Sequence, residues 1–194
     1  MVRMCFIENI KEKKVKMYKD QELKRVYFFS LNYCKKYGNK SNGHSYKHTQ
    51  RVLKNAIKII KKYKLRKKVN VKTIIVSCLL HDISRSYGFN GKDHGQVSYN
   101  IVKGFLKNTL NFNKQELALI EPCMSNHCIN NKKTHKSLEE KILYDADKND
   151  GFGLRGYWRI FVYFYLERDQ GLRTVWRKIT VDMPKRKKEL HFKE

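Results

Sequence analysis

The sequence is short of the residues that interrupt helices and lacks any long apolar run. Its 194 residues include only two prolines and ten glycines. It also lacks the sustained polar and apolar alternation of half-buried strands. No apolar stretch approaches the length of a membrane span, and the apolar block at the N-terminus is too short for a secretory signal. We therefore predict an all-α fold and expect a soluble, cytoplasmic protein that does not enter a membrane.

Paired cysteines and glycine-rich phosphate loops are also missing. The five cysteines, at positions 5, 34, 78, 123 and 128, form no C-x-x-C pair, and their number is odd. Reduced thiols are the better interpretation of such a pattern. The absence of a P-loop, of G-x-G-x-x-G and of a Ser-His-Asp nucleophile context excludes the usual signatures of nucleotide-binding loops and serine hydrolases.

Acidic residues are scarce relative to basic ones. The chain has 18 acidic against 43 basic side chains and a net charge of +25. A surface this positive attracts polyanions such as nucleotides, oligonucleotides, RNA or polyphosphate. The alternative is a solvated basic face with no dedicated partner, and composition leaves both open.

The doublet His81-Asp82 ends the apolar run of residues 74–80. A buried imidazole and a buried carboxylate each need a partner, and a cation serves both. His48 and Asp147 are two further candidate ligands elsewhere in the chain. Imidazole and carboxylate together suit first-row divalent ions, and without a cysteine in the set a closed structural zinc site is not expected. Two histidines and two carboxylates would leave coordination positions open for water and a phosphate oxygen.

Several dispersed segments resemble one family in order and spacing. The chain is similar to the HD-domain metal-dependent phosphohydrolases over roughly residues 40–165, and several ordered motifs are more specific than one short pattern. The segments that carry the resemblance are residues 43–52, 79–83, 93–95, 126–127 and 144–148. The resemblance implies an all-α, single-domain helical bundle with the metal site between its helices.

The resemblance also implies a set of metal ligands. His48, His81, Asp82 and Asp147 would hold the ion. His94 and His127 occupy positions where some relatives bind a second metal and others keep a histidine that binds substrate or moves protons. We expect one or two divalent ions per chain, with Mn, Fe, Co, Ni, Mg and Zn not distinguishable.

Further residues are predicted to surround the ion. Lys148 follows Asp147 and would contact phosphate. Arg51 lies one helical turn after His48, and Arg85 lies in a loop after the doublet, so we predict phosphate contacts for both. We predict that His44 and Asp150 orient a ligand or a metal-bound water.

The remaining pattern predicts the order of the helices. Helices are expected over residues 20–37, 44–63, 93–110 and 114–128, and a further helix is expected to end near residues 81–82. Two capping boxes should begin at Asn113 and Ser137. The aromatic-rich segments 158–166 and 174–179 are expected to close the core, and residues 185–188 to form a solvated basic tail. Asp145 should be exposed or engaged with a basic neighbour, and His135 and His191 should lie on the surface.

These patterns lead to a single-domain prediction. Residues 1–38 would form a basic segment and a first helix that packs on the core, residues 39–168 the phosphohydrolase core, and residues 169–194 a C-terminal helix and basic tail. The sequence does not predict an oligomeric state.

The functional hypothesis is a metal-dependent phosphohydrolase that cleaves a phosphate ester or anhydride of a nucleotide or nucleotide-like substrate. One alternative is a metal-dependent nuclease or cyclic-oligonucleotide phosphodiesterase, which the positive charge favours. Another is a non-catalytic nucleic-acid-binding or regulatory domain with a structural metal. Fold alone does not separate them.

Overall fold

A computed structural model describes residues 20–37, 46–89, 91–110, 112–129 and 133–192. Within these ranges the chain forms helices joined by turns and contains no strand, so the all-α prediction is confirmed. None of the described helices has the length and apolarity needed to cross a membrane. The helices are α1 Gln21–Tyr37, α2 Tyr46–Lys62, α3 Val71–Leu80, α4 Ile83–Ser86, α5 His94–Gly104, α6 Lys114–Asn126, α7 Leu138–Asn149, α8 Gly153–Phe161, α9 Leu172–Arg177 and α10 Met183–Lys188. π-helical segments follow α5 (Phe105–Thr109), α8 (Val162–Glu167) and α9 (Lys178–Asp182).

Two of these helices begin at the predicted capping boxes. The Asn113 side chain accepts a hydrogen bond from the Glu116 backbone N–H, and the Glu116 carboxylate accepts one from the Asn113 N–H, each at 2.9 Å. Ser137 and Glu140 make the same reciprocal pair at 3.1 and 2.9 Å. Each box satisfies two backbone donors that a helix start otherwise leaves unpaired, and so sets the first residue of α6 and of α7.

Helix α3 lies at the centre of the bundle and is apolar on nearly every side. It packs against α1, α2, α6 and α7. Val76, Leu79 and Leu80 face a core shared with α1, α5 and α6, whereas Ile74 and Cys78 face a second core shared with α2 and α7. Each fully buried aliphatic side chain contributes about 1.5–3 kcal/mol relative to exposure. This packing holds the C-terminal end of α3, and the doublet that follows it, inside the bundle.

A glycine sets the contact between α5 and α6. A Cβ atom at Gly95 would lie 2.2 Å from the Met124 carbonyl oxygen and 3.0 Å from His127 Nδ1. Only a residue without a side chain permits this approach. Gly95 therefore brings the start of α5, which carries His94, against the end of α6, which precedes His127.

The C-terminal aromatic segments differ from the sequence prediction. Trp158 is 63% exposed and Trp176 is 68% exposed. Among the described residues from 153 to 188, only Gly156, Val175 and Met183 are buried. The prediction that these segments close the core was wrong, because Val175 is the only residue of the two segments that is buried.

Two further predictions about polar residues need correction. Asp145 is fully buried and accepts hydrogen bonds from the backbone N–H groups of His191 and Phe192 at 3.0 and 2.7 Å. His135 is only 2% exposed, and its ring lies against Tyr144. In both cases the C-terminal segment at residues 191–192 supplies partners that no local pattern indicates.

Candidate metal centre

The doublet lies where the chain leaves α3. His81 is the residue after the last turn of α3, and Asp82 precedes α4 with φ of −110°, so the helix breaks between them. His81 Nδ1 donates to the Cys78 carbonyl at 3.0 Å, which directs Nε2 inward as a lone-pair donor. Its ring is fully buried, and within the described residues Nε2 has no hydrogen-bond partner.

The four predicted ligands converge from three helices. His48 Nε2, on α2, lies 3.2 Å from Asp147 Oδ1 and 3.5 Å from Asp82 Oδ2. His81 Nε2 lies 3.6 Å from Asp82 Oδ2 and 3.8 Å from Asp147 Oδ1. Asp147 belongs to α7. Two imidazole nitrogens and two carboxylate oxygens thus surround one point inside the bundle.

His94 and His127 form a second group on the other side of Asp82. Their Nε2 atoms are 3.1 Å apart, and each lies 3.3 Å from Asp82 Oδ1. Their Nδ1 atoms donate to the carbonyls of Gly91 and Met124, at 3.1 and 2.6 Å. Asp82 therefore presents one oxygen to His48 and His81 and the other to His94 and His127. The Cys128 thiol also lies within 4.8 Å of ligand atoms of His94 and His127.

The chemistry of this donor set fits a divalent cation. Burial lowers the pKa of His81 to about 3 and lowers the pKa of His127, so both rings are neutral lone-pair donors. Burial raises the pKa of Asp147, but the neighbouring Lys148 and His48 outweigh it and hold that pKa well below its usual range. Neutral imidazoles beside ionised carboxylates are the ligands that first-row divalent ions prefer. The buried lone pair of His81 Nε2 is the clearest sign that a cation belongs here.

A buried carboxylate holds the outer side of His48. His48 Nδ1 lies 2.7 Å from Asp150 Oδ2. Arg51 donates to the same carboxylate through Nε at 2.5 Å and Nη2 at 2.9 Å, and Arg159 pairs with it as well. Burial raises the pKa of Asp150, but hydrogen bonds from His48 and Arg51 prevail and lower it to about 2. Asp150 therefore lies where a carboxylate that orients a metal-binding imidazole is needed.

This network changes the interpretation of Arg51. The sequence predicted a phosphate contact, but two of its guanidinium nitrogens are engaged with Asp150, and the residue is not among those that line the cavity. Arg51 therefore lies where it can hold the Asp150 carboxylate in place. His44, which was predicted to orient a ligand, falls outside the described residues.

A cavity of about 370 Å³ opens onto the metal centre. Asp82, Asp147, His94 and His127 line its inner end. Lys148 and Arg85 line it too, as a phosphate contact requires: Lys148 Nζ lies 3.0 Å from Asp147 Oδ2, and Arg85 Nε lies 3.5 Å from Asp82 Oδ1. Whether they bind substrate remains a prediction.

Sequence reasoning missed several residues that line the cavity. They are Arg159, Tyr163, Phe164, Arg168 and Arg186. The four residues from 159 to 168 follow the last recognisable motif, and their spacing is that of an ordinary amphipathic helix. Arg186 lies in a lysine-rich run that is typical of a solvated tail. No local signal distinguishes these side chains from surface residues.

Comparison with known proteins agrees with this geometry. A protein-family model described as HD domain matches residues 45–151, more than half of the chain. The fold is also similar to the crystal structure of a predicted HD superfamily hydrolase from an uncultured Thermotogales bacterium, with a TM-score of 0.61 and 28% sequence identity over 89% of this chain and 91% of that one. No curated protein matches. Together these comparisons support a hydrolase, and the extent of the family match shows that the chain belongs to the HD domain family.

Proposed function

We propose that this protein is a metal-dependent phosphohydrolase that cleaves a phosphate ester or anhydride of a nucleotide or nucleotide-like substrate. The observation that carries the proposal is the buried ligand set at the inner end of a cavity rich in cations. Five basic side chains line that cavity, against two carboxylates. Such a site attracts a dianionic phosphate group and directs it to the carboxylate and imidazole donors.

His48, His81, Asp82 and Asp147 would hold the ion, with the buried Nε2 of His81 as its best-defined donor. When bound there, a divalent ion supplies Lewis acidity, which neutralises phosphate charge and makes a coordinated water more acidic. Asp150 keeps the imidazole of His48 oriented through its 2.7 Å hydrogen bond to Nδ1.

The chain's own side chains would then act on the substrate phosphate. Lys148 and Arg85 would donate to its oxygens from the cavity wall and stabilise charge as it develops. His94 and His127 would serve in one of two ways: as ligands of a second ion that shares Asp82, or as a pair that transfers a proton to the leaving group. The number of ions per chain distinguishes these roles.

An aromatic surface supports a nucleotide-like substrate over a simple phosphate. Tyr163 and Phe164 line the cavity. Aromatic rings in a cationic pocket bind the flat apolar face of a base, while the phosphate reaches the basic groups.

The proposal is tested by metal analysis of the purified protein and a hydrolysis screen over nucleotides, dinucleoside polyphosphates and short oligonucleotides with manganese. Asp82→Asn removes the carboxylate charge shared by both halves of the site while keeping its size, and should abolish both metal retention and hydrolysis. The control is Asp169→Asn, which makes the same change of charge at an exposed site. Asp169 has a positive φ of 49°, a backbone conformation that asparagine adopts readily. Metal content and activity that are equal in wild type and Asp82→Asn would reject the proposal.

A polymeric substrate is the second candidate. Trp158 stacks on Phe161 at 5.4 Å, and Phe161 on Tyr165 at 5.0 Å, so one face of α8 and its π-helical continuation carries a row of rings. Such a row, on a chain of net charge +25, is suited to single-stranded nucleic acid.

Salt dependence separates a polymer from a mononucleotide. A polymer that contacts many lysines should lose affinity steeply between low and moderate salt, whereas a mononucleotide should lose little. Tight binding of oligonucleotides with no turnover under any metal would instead favour the non-catalytic alternative.

A further inference from the structure

Two arginines line the cavity and, among the described residues, form no ion pair with the four predicted ligands. Arg168 follows the π-helical segment after α8, and Arg186 lies on α10. Both lie beyond residue 151, where the family match ends. Both line the same cavity as Asp82 and Asp147.

The cations of this cavity differ in how their charge is compensated. Lys148 is paired with Asp147, Arg85 lies beside Asp82, and Arg159 is paired with Asp150. In the part of the chain that the structure describes, no carboxylate lies within ion-pair distance of Arg168 or Arg186, and neither guanidinium has a hydrogen-bond partner. Within the described residues, the charges of Arg168 and Arg186 are therefore not held in an ion pair.

Arg168 is nevertheless held in a defined position. Its guanidinium carbon lies 5.0 Å from the centre of the Tyr163 ring, and Tyr163 lines the cavity too. A guanidinium that stacks on a ring keeps the N–H donors along its edge free for an anion.

Arg186 is positioned by its helix. Met183, one turn earlier on α10, is buried and lines the cavity. After α10, Asp145 holds the chain at His191 and Phe192 through two backbone hydrogen bonds. With both ends of this segment anchored, Arg186 remains at the wall of the cavity although its neighbours Lys185 and Lys187 are exposed.

We propose that Arg168 and Arg186 form a second anion subsite, which binds a phosphate group of the substrate other than the one that lies at the metal centre. This inference rests on the proposed function and narrows its substrate class to nucleotides that carry more than one phosphate group. A planar guanidinium can donate two parallel hydrogen bonds to one phosphate group, so two arginines can bind such a group together. At about 370 Å³ the cavity has the size of a small-molecule site, so one ligand would span both positions.

The test uses three probes that resist hydrolysis: inorganic phosphate, methylenediphosphonate and the bis-methylene analogue of triphosphate. Their affinities for the metal-loaded protein are measured by titration calorimetry. The double variant Arg168→Gln/Arg186→Gln should bind at least one of the longer probes about 10–100-fold more weakly than wild type does, because hydrogen bonds to charged groups are worth that much. Its affinity for inorganic phosphate should not change.

The matched control is Arg173→Gln/Lys185→Gln. It removes the same charge from two exposed residues on α9 and α10 that do not line the cavity. It should bind all three probes as the wild type does. The subsite is overturned if the control loses as much affinity as the double variant, if the double variant loses affinity equally for all three probes, or if no probe binds.

These outcomes are separate from those that test hydrolysis. A protein that hydrolyses nothing but retains an arginine-dependent preference for the longer probes has the subsite and lacks the proposed activity. A protein that hydrolyses nucleotides without that preference has the activity and lacks the subsite.

Discussion

The inner end and the outer wall of the cavity are built in different ways. The inner end is lined by Asp82 and Asp147, and these belong with His48 and His81 to the metal centre that α2, α3 and α7 hold within the packed bundle. His81 is fully buried and His48 is 1% exposed. The outer wall belongs to α8, the π-helical segment that follows it, and α10, where few side chains are buried. A rigid centre thus faces a wall with little packing of its own.

This difference indicates that the inner end holds the metal ligands and that the outer wall contacts the substrate. Ligands must be held within a fraction of an ångström for a metal to act, which requires a packed scaffold. Substrate contacts tolerate more movement, and elements with few buried apolar contacts open at lower free energy than core helices. We expect substitutions at the inner end to change metal binding and stability together, and those on the wall to change ligand preference alone.

Asp150→Asn should produce the largest effect. Two arginines and His48 contact this carboxylate, whose side chain is 4% exposed. Removing one partner of a buried ion pair costs about 3–5 kcal/mol of stability. Losing the hydrogen bond that orients His48 should also weaken metal affinity by about 10–100-fold. Urea unfolding and metal titration measure both effects.

The matched comparison for Asp150→Asn is Asp182→Asn, which breaks a surface pair with Lys178 at 2.8 Å. Surface pairs contribute roughly 0–1 kcal/mol, so this variant should be close to wild type in stability and metal affinity. Equal losses in the two variants would contradict the distinction between the buried centre and the exposed wall.

The centre should also respond to pH in a way that the wall does not. Burial and Arg159 lower the pKa of His48, but hydrogen bonds to Asp147, Asp150 and Asp82 prevail and raise it from 6.5 to about 9. In metal-free protein the protonated ring therefore stabilises the fold fully below pH 6.5, and this stabilisation is lost as the pH rises toward 9. A metal ion needs the neutral ring, so metal affinity should increase over the same interval.

Melting temperatures in chelator, recorded across that interval, measure the loss of stability, and calorimetric metal titrations measure the gain in affinity. In His48→Gln the metal-free protein should lack this pH dependence. A wild-type melting temperature that stays constant from pH 6.5 to 9 would show that the carboxylates do not hold the proton on His48.

Trp158→Ala should have the smallest effect on stability. The side chain is 63% exposed, and substitutions at exposed sites usually change the free energy of unfolding by less than about 0.5 kcal/mol. By contrast, Leu79→Ala in the central helix should cost about 2–5 kcal/mol, because the side chain is 1% exposed. A large loss for Trp158→Ala in urea unfolding would mean that the wall is packed more tightly than its exposure indicates.

Local patterns predicted the features that depend on neighbouring residues. The capping boxes at Asn113 and Ser137 involve residues three apart, so the sequence alone locates them. The apolar character of α3 likewise predicts a central helix that ends at a buried doublet. By contrast, the burial of Asp145 on α7 depends on the backbone at residues 191–192, which no neighbouring residue indicates.

The sequence by itself determined that the chain is helical, where several helices begin, and which histidines and aspartates are candidates for one metal centre. Periodicity and capping depend on residues that are close together in the chain, and residue type is given directly, so all three can be recognised in the sequence. Only the tertiary structure decided that Arg51 pairs with Asp150, that Arg159, Arg168 and Arg186 reach the cavity, and that the aromatic segments stay exposed. These contacts join residues far apart in the chain, and their formation depends on how the helices pack rather than on any local preference.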